Sequence, residues 1–490
     1  MRAYSLALPD LRPVLFVIGL LLLALAASML LPALIDLIDG APEWRIFVES
    51  AGISAAAGGG IALAFRPAQK IEFTVRGAFL LTVLVWIVVS LFAAPPLMLG
   101  SSDLGLTDAY FETMSGLTTT GASVIPDVDA QTKGILLWRS MLHLFGGIGI
   151  VVIAVAVLPV LRVGGMQLFR TESSDKSEKI RPRVSQVSSV LISVYFLLTC
   201  ICAMALAIAG MPVFDAVCHA ISAVSTGGFS TRAISVGAFP QPAILWILTV
   251  AMFAGGMTFV LLAQAMRGDF SALWRDSQTR WYFGYVAAFS LAMTLWQVVR
   301  DDRPFWDALT ASTFNVVSIA TTTGFASEDF LLWGSLPIMG FMVLMFLGGC
   351  TGSTSGGIKV FRYCILGGAA HGLLRNLVHP HRVQMTTYNG RPVGDDVIRS
   401  VLGFFFFYMT AFAVLSVLFS VFVGDLALGL SAVAQALANV GPGLVPQIGP
   451  VGHYADLPTA AKWVLTFAMM LGRLELLTVL VLFSPTFWRG

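Results

Sequence analysis

Charge is what this sequence has least of. Only 11% of its 490 residues are Asp, Glu, Lys or Arg, less than half the share of about 25% found in soluble domains. So few charges cannot clothe a surface in water, which excludes a soluble globular protein. The formal net charge is only +2 and no long basic run is present, so nucleic acid is not an expected partner. Cysteine is scarce too. Cys200, Cys202, Cys218, Cys350 and Cys364 lie in or beside apolar runs, without a paired CxxC or a matching His spacing, so neither a disulfide framework nor a zinc site is supported. The six histidines, at 143, 219, 371, 379, 381 and 453, are scattered. No P-loop occurs, and Gly146-Gly147-Ile148-Gly149 sits within an apolar run rather than at a strand-to-helix turn, so no nucleotide fingerprint is present.

What the chain has is apolar length. Hydrophobic residues make up 57% of it, and ten segments approach the roughly 20 residues a helix needs to cross a membrane. They lie near 14–35, 46–65, 73–94, 135–160, 187–209, 241–265, 281–299, 336–374 (interrupted), 397–422 and 460–484. The first is too long for a signal-peptide core and has no small-residue cleavage site, so it reads as a retained span. Four shorter apolar stretches, near 108–118, 214–225, 307–320 and 426–438, cannot cross and read as re-entrant pore helices.

The charges orient this layout, because Lys and Arg favour the cytoplasmic side. With both termini inside, 21 basic residues fall on inner segments and 7 on outer ones, while Arg473 lies inside the last span. Acidic residues lean the other way, 17 outside and 9 inside, with Glu475 in the membrane.

Each short stretch stops at a small polar turn closed by glycine. The turns are Thr119-Thr120-Gly121, Thr226-Gly227-Gly228, Thr322-Thr323-Gly324 and Asn439-Val440-Gly441. Their last glycines are 107, 96 and 117 residues apart, a period that accommodates helix, pore helix, turn and helix. The predicted fold is an all-α polytopic membrane protein with four pseudo-repeated helix–pore-loop–helix units around one pore, preceded by two extra transmembrane helices. The units are 1–70 for the extra pair, then 71–165, 166–268, 269–376 and 377–490. Asp108, Asp215, Asp307 and Asp425 precede the four turns at similar distances and are candidate caps for the pore helices. A second repeat follows downstream: Phe145-Gly146-Gly147, Ala254-Gly255-Gly256, Leu347-Gly348-Gly349 and Leu471-Gly472-Arg473. Paired glycines in a membrane helix point to close helix contact. The fourth copy places Arg473 where the others have glycine, and an ionisable group within a span is a functional candidate.

Non-helical backbone at bilayer depth is tolerated only where it is buried in protein or lines a water-filled path. A partly dehydrated alkali cation needs several oxygen ligands, which carbonyls of converging loops supply. Glycine permits the backbone angles that aim them. The twelve turn residues are therefore candidate ligands for an alkali cation. Residues Cys350 to Gly357 interrupt the eighth span with small, weakly helix-forming residues. A kinked helix or an unwound intramembrane loop would account for them.

The chain resembles the potassium-translocating subunits of the Trk/Ktr/HKT superfamily, in its TrkH/TrkG branch. The resemblance rests on TTTGAS (118–123), STGGFST (225–231), ATTTGFAS (320–327), NVGPGL (439–444), GCTGSTSGGIK (349–359) and LGRLEL (471–476), and it covers essentially the whole chain. It implies K+ as the transported ion, with Gly121 favouring potassium over sodium. It implies an intramembrane gate formed by Gly349, Thr351, Gly352, Ser353, Thr354, Ser355, Gly356 and Gly357, with Arg473 as a fixed positive charge below the filter that repels cations or pairs with a carbonyl or with Glu475. Lys359 is placed either at the gate or snorkelling to the inner surface. Gly227 for Thr, and Asn439-Val440 for Thr-Thr, depart from the pattern, so the pore should be only pseudo-fourfold. The resemblance further implies a bacterial inner membrane, a homodimer with a pore in each protomer, and a cytosolic TrkA-type nucleotide-binding subunit. The polar segment 171–183 is a plausible docking surface, and Arg375, His379, His381 and Arg382 form a basic patch suited to surface or subunit contact. The alternative within transport is a sodium-selective or sodium-coupled potassium symporter. Membrane lipid surrounds either. An enzyme is not expected, because only Arg473 and Glu475 lie deep, and neither is a bound organic cofactor.

Overall fold

A computed structural model of the chain describes residues 10–67, 74–156, 180–379 and 385–488. Most of the polar segment 171–183, together with His381 and Arg382, lies outside them. The described chain is helical apart from one two-stranded ribbon at Thr387–Tyr388 and Arg391–Pro392.

Helices α1 (Arg12–Asp39) and α2 (Trp44–Ala64) form an antiparallel pair. They approach closely, because Gly19 and Gly58 face each other: a Cβ on Gly58 would stand 2.8 Å from the Gly19 carbonyl. Without a hydrophobic force between helices in lipid, such small-residue contacts are what lets backbones pack.

Four units then follow in one order: helix, short helix ending in a turn, helix. The first is α3 (Val75–Ala93), α4 (Leu106–Leu117) and α5 (Lys133–Ala156). The second is α6 (Ile180–Ile208), α7 (Val213–Val224), α8 (Pro242–Gly255) and α9 (Phe259–Met266). The third is α10 (Ser277–Asp301), α11 (Phe305–Ala320), α12 (Ser335–Leu347) and α13 (Val360–Val378). The fourth is α14 (Asp395–Val423), α15 (Leu426–Ala438), α16 (Thr459–Arg473) and α17 (Leu477–Leu480). The short helices α4, α7, α11 and α15 are buried over their C-terminal portions, which lead into the turns. The long helices turn apolar side chains such as Ile208, Val299 and Leu377 outward, a surface suited to hydrocarbon and not to water.

Two expected spans are not continuous. Among the described residues seven helices are long and apolar enough to cross, and two further pairs are bent, α8 with α9 by 111° and α16 with the segment Leu477–Phe483 by 106°. The sequence 241–265 reads as one apolar run because composition carries no record of what a chain packs against. The break after Gly255-Gly256 exists because another loop supplies partners for the backbone groups that it frees, as described below.

The extra pair is tied to the pore units by a carboxylate. Asp36 of α1 is fully buried, and accepts from the Gly134 N–H at 2.6 Å and the Thr132 hydroxyl at 3.2 Å. It thus satisfies the free N-terminus of α5 from a different unit. Asp36→Ala leaves those donors buried without a partner, and should lower thermal stability in detergent by the equivalent of about 1–3 kcal/mol. An unchanged unfolding midpoint would assign the anchoring of α1 and α2 to apolar packing alone.

Candidate ion pathway

All four turns share one backbone. Thr119, Thr226, Thr322 and Asn439 take left-handed φ values of 50°, 52°, 58° and 58°, and two residues on Gly121, Gly228, Gly324 and Gly441 take 81°, 82°, 85° and 101°. A left-handed threonine is an outlier for a β-branched residue, and three occur at equivalent places, so the surrounding structure imposes the conformation.

The four strands close into a ring. A Cβ on Gly121 would run into the carbonyl oxygen of Gly227, one on Gly228 into that of Thr323, one on Gly324 into that of Val440, and one on Gly441 would stand 2.6 Å from that of Thr120. The contacts pass from each unit to the next and return to the first. Each strand also follows directly on the C-terminal end of a pore helix, where the macrodipole presents roughly half a negative charge. Above the ring lies a vestibule of about 100 Å³, lined by all four of these glycines.

Buried polar side chains hold the strands from behind, and sequence reasoning missed them. Nine residues before the glycine, units one to three carry Glu112, His219 and Asn315, all fully buried. Glu112 accepts from the Val124 N–H at 2.8 Å and the Ser123 hydroxyl at 3.0 Å. His219 Nε2 lies 2.9 Å from Ser230 Oγ, and Asn315 Nδ2 donates to Ser327 Oγ at 2.8 Å. In unit four Ser431 Oγ accepts from the Leu444 N–H at 2.6 Å. In units one to three the polar residue at a constant offset was the available signal, hidden because its chemistry differs each time.

Adjacent units are clamped as well. Arg139 pairs with Glu112 at 2.8 Å, donates to the Ser230 carbonyl at 3.1 Å and lies 4.0 Å over the Phe229 ring. Gly237 N–H donates to the Ala326 carbonyl, and Tyr454 joins unit four to unit one through the Gly441 and Ser123 carbonyls. At the rim of unit three, outside the spans, Arg303 forks onto Glu328 at 2.6 and 2.9 Å. That hydrogen bonding holds the guanidinium above its ordinary pKa.

Directly beneath the ring, residues 348–359 leave helical geometry, with φ of 67° at Gly348, 74° at Gly352 and 67° at Gly357. The loop docks into the break between α8 and α9: Cys350 N–H donates to the Gly256 carbonyl at 2.8 Å, Thr354 N–H to Gly255 at 3.2 Å, and Phe259 N–H to Gly352 at 3.1 Å. Thr258 Oγ1 adds a bond to the Thr351 carbonyl, and Ser353 Oγ one to that of Cys350. Ser355 Oγ accepts from the Gly349 N–H. The loop also touches the strands themselves. Gly356 N–H donates to Thr322 Oγ1 at 2.6 Å, Thr354 Oγ1 stands 3.3 Å from Thr226 Oγ1, and a Cβ on Gly356 would meet the Ala438 carbonyl. It fills the space under three of the four pore-helix ends as an unwound loop, not a kink.

Several expectations change here. Arg473 does not pair with Glu475. Its guanidinium donates to the Thr354 carbonyl at 2.7 Å, while Glu475 pairs with Arg362, because the bend after α16 turns the two side chains to different neighbours. Lys359 does not snorkel: it is buried, and its ammonium donates to the Ser355 carbonyl at 2.5 Å. Of the four Asp residues only Asp425 caps its helix, accepting from Ala427 and Leu428 N–H. Asp108, Asp215 and Asp307 sit inside the first turn; Asp108 takes Lys462, and Asp215 takes Thr231 and Arg232. The glycine pairs do mark close contact. A Cβ on Gly146 would strike the Leu117 carbonyl at the end of α4, and one on Gly472 that of Leu437.

A family profile for TrkH, a cation transport protein, matches residues 46–489. The chain belongs to the TrkH family. It is 42% identical over 480 residues to the Trk system potassium uptake protein TrkI of Halomonas elongata, covering 97% of each. It is 38% identical over 488 residues to the TrkH protein of Escherichia coli, covering 98% of this chain and 99% of that one. The crystal structure of the potassium transporter TrkH from Vibrio parahaemolyticus superposes with a TM-score of 0.90 at 34% identity, over 98% of this chain and all of that one. The all-α membrane fold is thus that of a TrkH-family transporter. In this TrkH-family ring, Gly121→Ser introduces a side chain against the Gly227 carbonyl at a left-handed φ, and should weaken discrimination of K+ over Na+ while expression persists. An unchanged permeability ratio would remove Gly121 from the discriminating site.

Proposed function

We propose that this chain carries potassium across a bacterial inner membrane into the cell. The observation that carries the reading is the closed ring of four strands, each ending a pore helix and each backed by the next unit's carbonyl. The ring residues Thr119–Gly121, Thr226–Gly228, Thr322–Gly324 and Asn439–Gly441 would replace the hydration shell of K+. The units 71–165, 166–268, 269–376 and 377–490 would each contribute a quarter of the pore, with 1–70 outside it. The relatives are named potassium uptake proteins of the Trk system, which supports the same ion here. The bias of Lys and Arg favours both termini in the cytoplasm. A homodimer and a cytosolic TrkA-type partner are the assembly we propose.

The loop 349–357 with Lys359 and Arg473 would be the barrier. Its backbone groups find partners in the surrounding helices, so the closed arrangement needs no water. Liposomes holding the purified protein and a K+ gradient test both readings. K+ or Rb+ flux should exceed Na+ flux, and deletion of 351–356 should raise it. Equal Na+ flux, or a requirement for Na+, would move the chain to the sodium-selective or sodium-coupled reading, and lower flux in a well-folded deletion would make the loop structural.

Arg473 is the charge in that barrier. At 4 Å, a unit charge acts on a cation with about 4 kcal/mol at an effective dielectric of 20. Arg473→Ala should therefore increase cation conductance more than Arg473→Lys, which retains the charge. Near-native conductance in both would take the side chain off the ion path.

A further inference from the structure

The second filter strand departs from the other three, and the departure has a partner in another unit. The residue before the filter glycine is Thr120, Thr323 and Val440 in units one, three and four, but Gly227 in unit two. Backbone conformation does not demand this glycine, since Gly227 is not among the residues with positive φ. Space does. A Cβ on Gly227 would lie 2.5 Å from Cγ and 2.7 Å from Cε1 of the His143 imidazole.

His143 comes from α5 of unit one, three residues before Gly146. The same offset from the glycine pair in the other units gives Met252, Met345 and Met469, and all four side chains are fully buried. Where the neighbouring strand carries a side chain before its glycine, the inner helix presents a methionine, which adapts its shape to what it meets. Where that strand carries none, the helix presents a rigid ring. The imidazole is held on several sides: Nδ1 lies 3.2 Å from Ser222 Oγ, and the ring stacks on Phe229 at 4.3 Å and 17°. Among the described residues its Nε2 has no hydrogen-bond partner. A buried nitrogen left unbonded costs free energy that a methionine would not incur, so burial alone does not account for histidine here.

We propose that His143 is a specificity-determining positioning residue: its imidazole takes the place of the side chain missing at Gly227 and holds the Gly227 carbonyl in the ring against Gly121. The inference rests on the reading of that ring as the potassium filter. Gly227 has one other backbone restraint nearby, its N–H donating to the Ser222 carbonyl at 2.8 Å, and Ser222 also bonds the imidazole. His143 therefore controls both the peptide and the residue that anchors it.

The full-length protein in liposomes tests this through the K+/Na+ permeability ratio, which does not depend on how much protein is folded. His143→Ala opens space behind Gly227, and Gly227→Thr drives a side chain into the ring. Each should lower the ratio by about tenfold, a change of about 1.4 kcal/mol between the two ions. The double variant His143→Met with Gly227→Thr recreates the pairing of the other units and should be more selective than either single change. His143→Gln, which keeps a planar polar group, should lose less than His143→Ala, and decides the matter if the threonine variants do not fold. Native ratios in the single variants, a double variant no better than the worse single one, or equal loss in Gln and Ala would overturn the proposal. A native protein without preference for K+ would instead strike the filter reading itself.

Discussion

Backbone N–H and C=O groups at membrane depth have no water to bond, and every one must find a partner in the protein. The rest of this structure follows from that obligation. Four strands and one long loop leave helical geometry in the interior, and each is accommodated because another element is broken or shortened beside it. The loop 348–359 and the bend between α8 and α9 are two halves of one solution: carbonyls freed at Gly255 and Gly256 accept from Thr354 and Cys350, and the Gly352 carbonyl accepts from Phe259. Neither irregularity would be stable alone.

Opposite electrostatics meet at the ring. Four pore-helix ends direct carbonyl dipoles to the ring, while Arg473 and Lys359 sit on the loop immediately below it. Both cations rest on backbone carbonyls of the loop rather than on carboxylates. The nearby carboxylate, Glu475, is engaged by Arg362. The ring and the two cations beneath it are joined through one loop, which takes left-handed φ at Gly348, Gly352 and Gly357.

The pseudo-fourfold symmetry is strict in backbone and loose in side chains. Left-handed φ recurs at the same two positions of all four strands, yet the groups that hold the strands are Glu112, His219, Asn315 and Ser431 in turn. A single chain can solve the same steric problem four times with different chemistry, which a true tetramer cannot. Asn439 illustrates the freedom gained: it takes the left-handed conformation that asparagine tolerates best, and its side-chain amide reaches Thr120 Oγ1 of unit one at 2.9 Å. Unit four is thereby joined to unit one at the point where the ring closes.

By itself the sequence determined the membrane environment, the all-α class and the location of the turns, because these depend on local quantities: apolar length and a Gly-terminated motif. The short helices lie where apolar stretches too short to cross were found, and the interruption at 350–357 is an unwound loop. Tertiary structure alone decided the pairing of charges. For Arg473 the sequence left a carbonyl or Glu475 as partner, and the 106° bend sends Arg473 to a loop carbonyl and Glu475 to Arg362. It also decided that Lys359 is buried, that Asp108 and Asp215 bond Lys462, Thr231 and Arg232 instead of capping, and that 241–265 is two helices. Each of these outcomes depends on which backbone group lies opposite, a fact about distant chain segments that no local pattern encodes. The Gly227–His143 match, 84 residues apart, belongs to the same class: the glycine is visible in the sequence, and the ring that requires it is not.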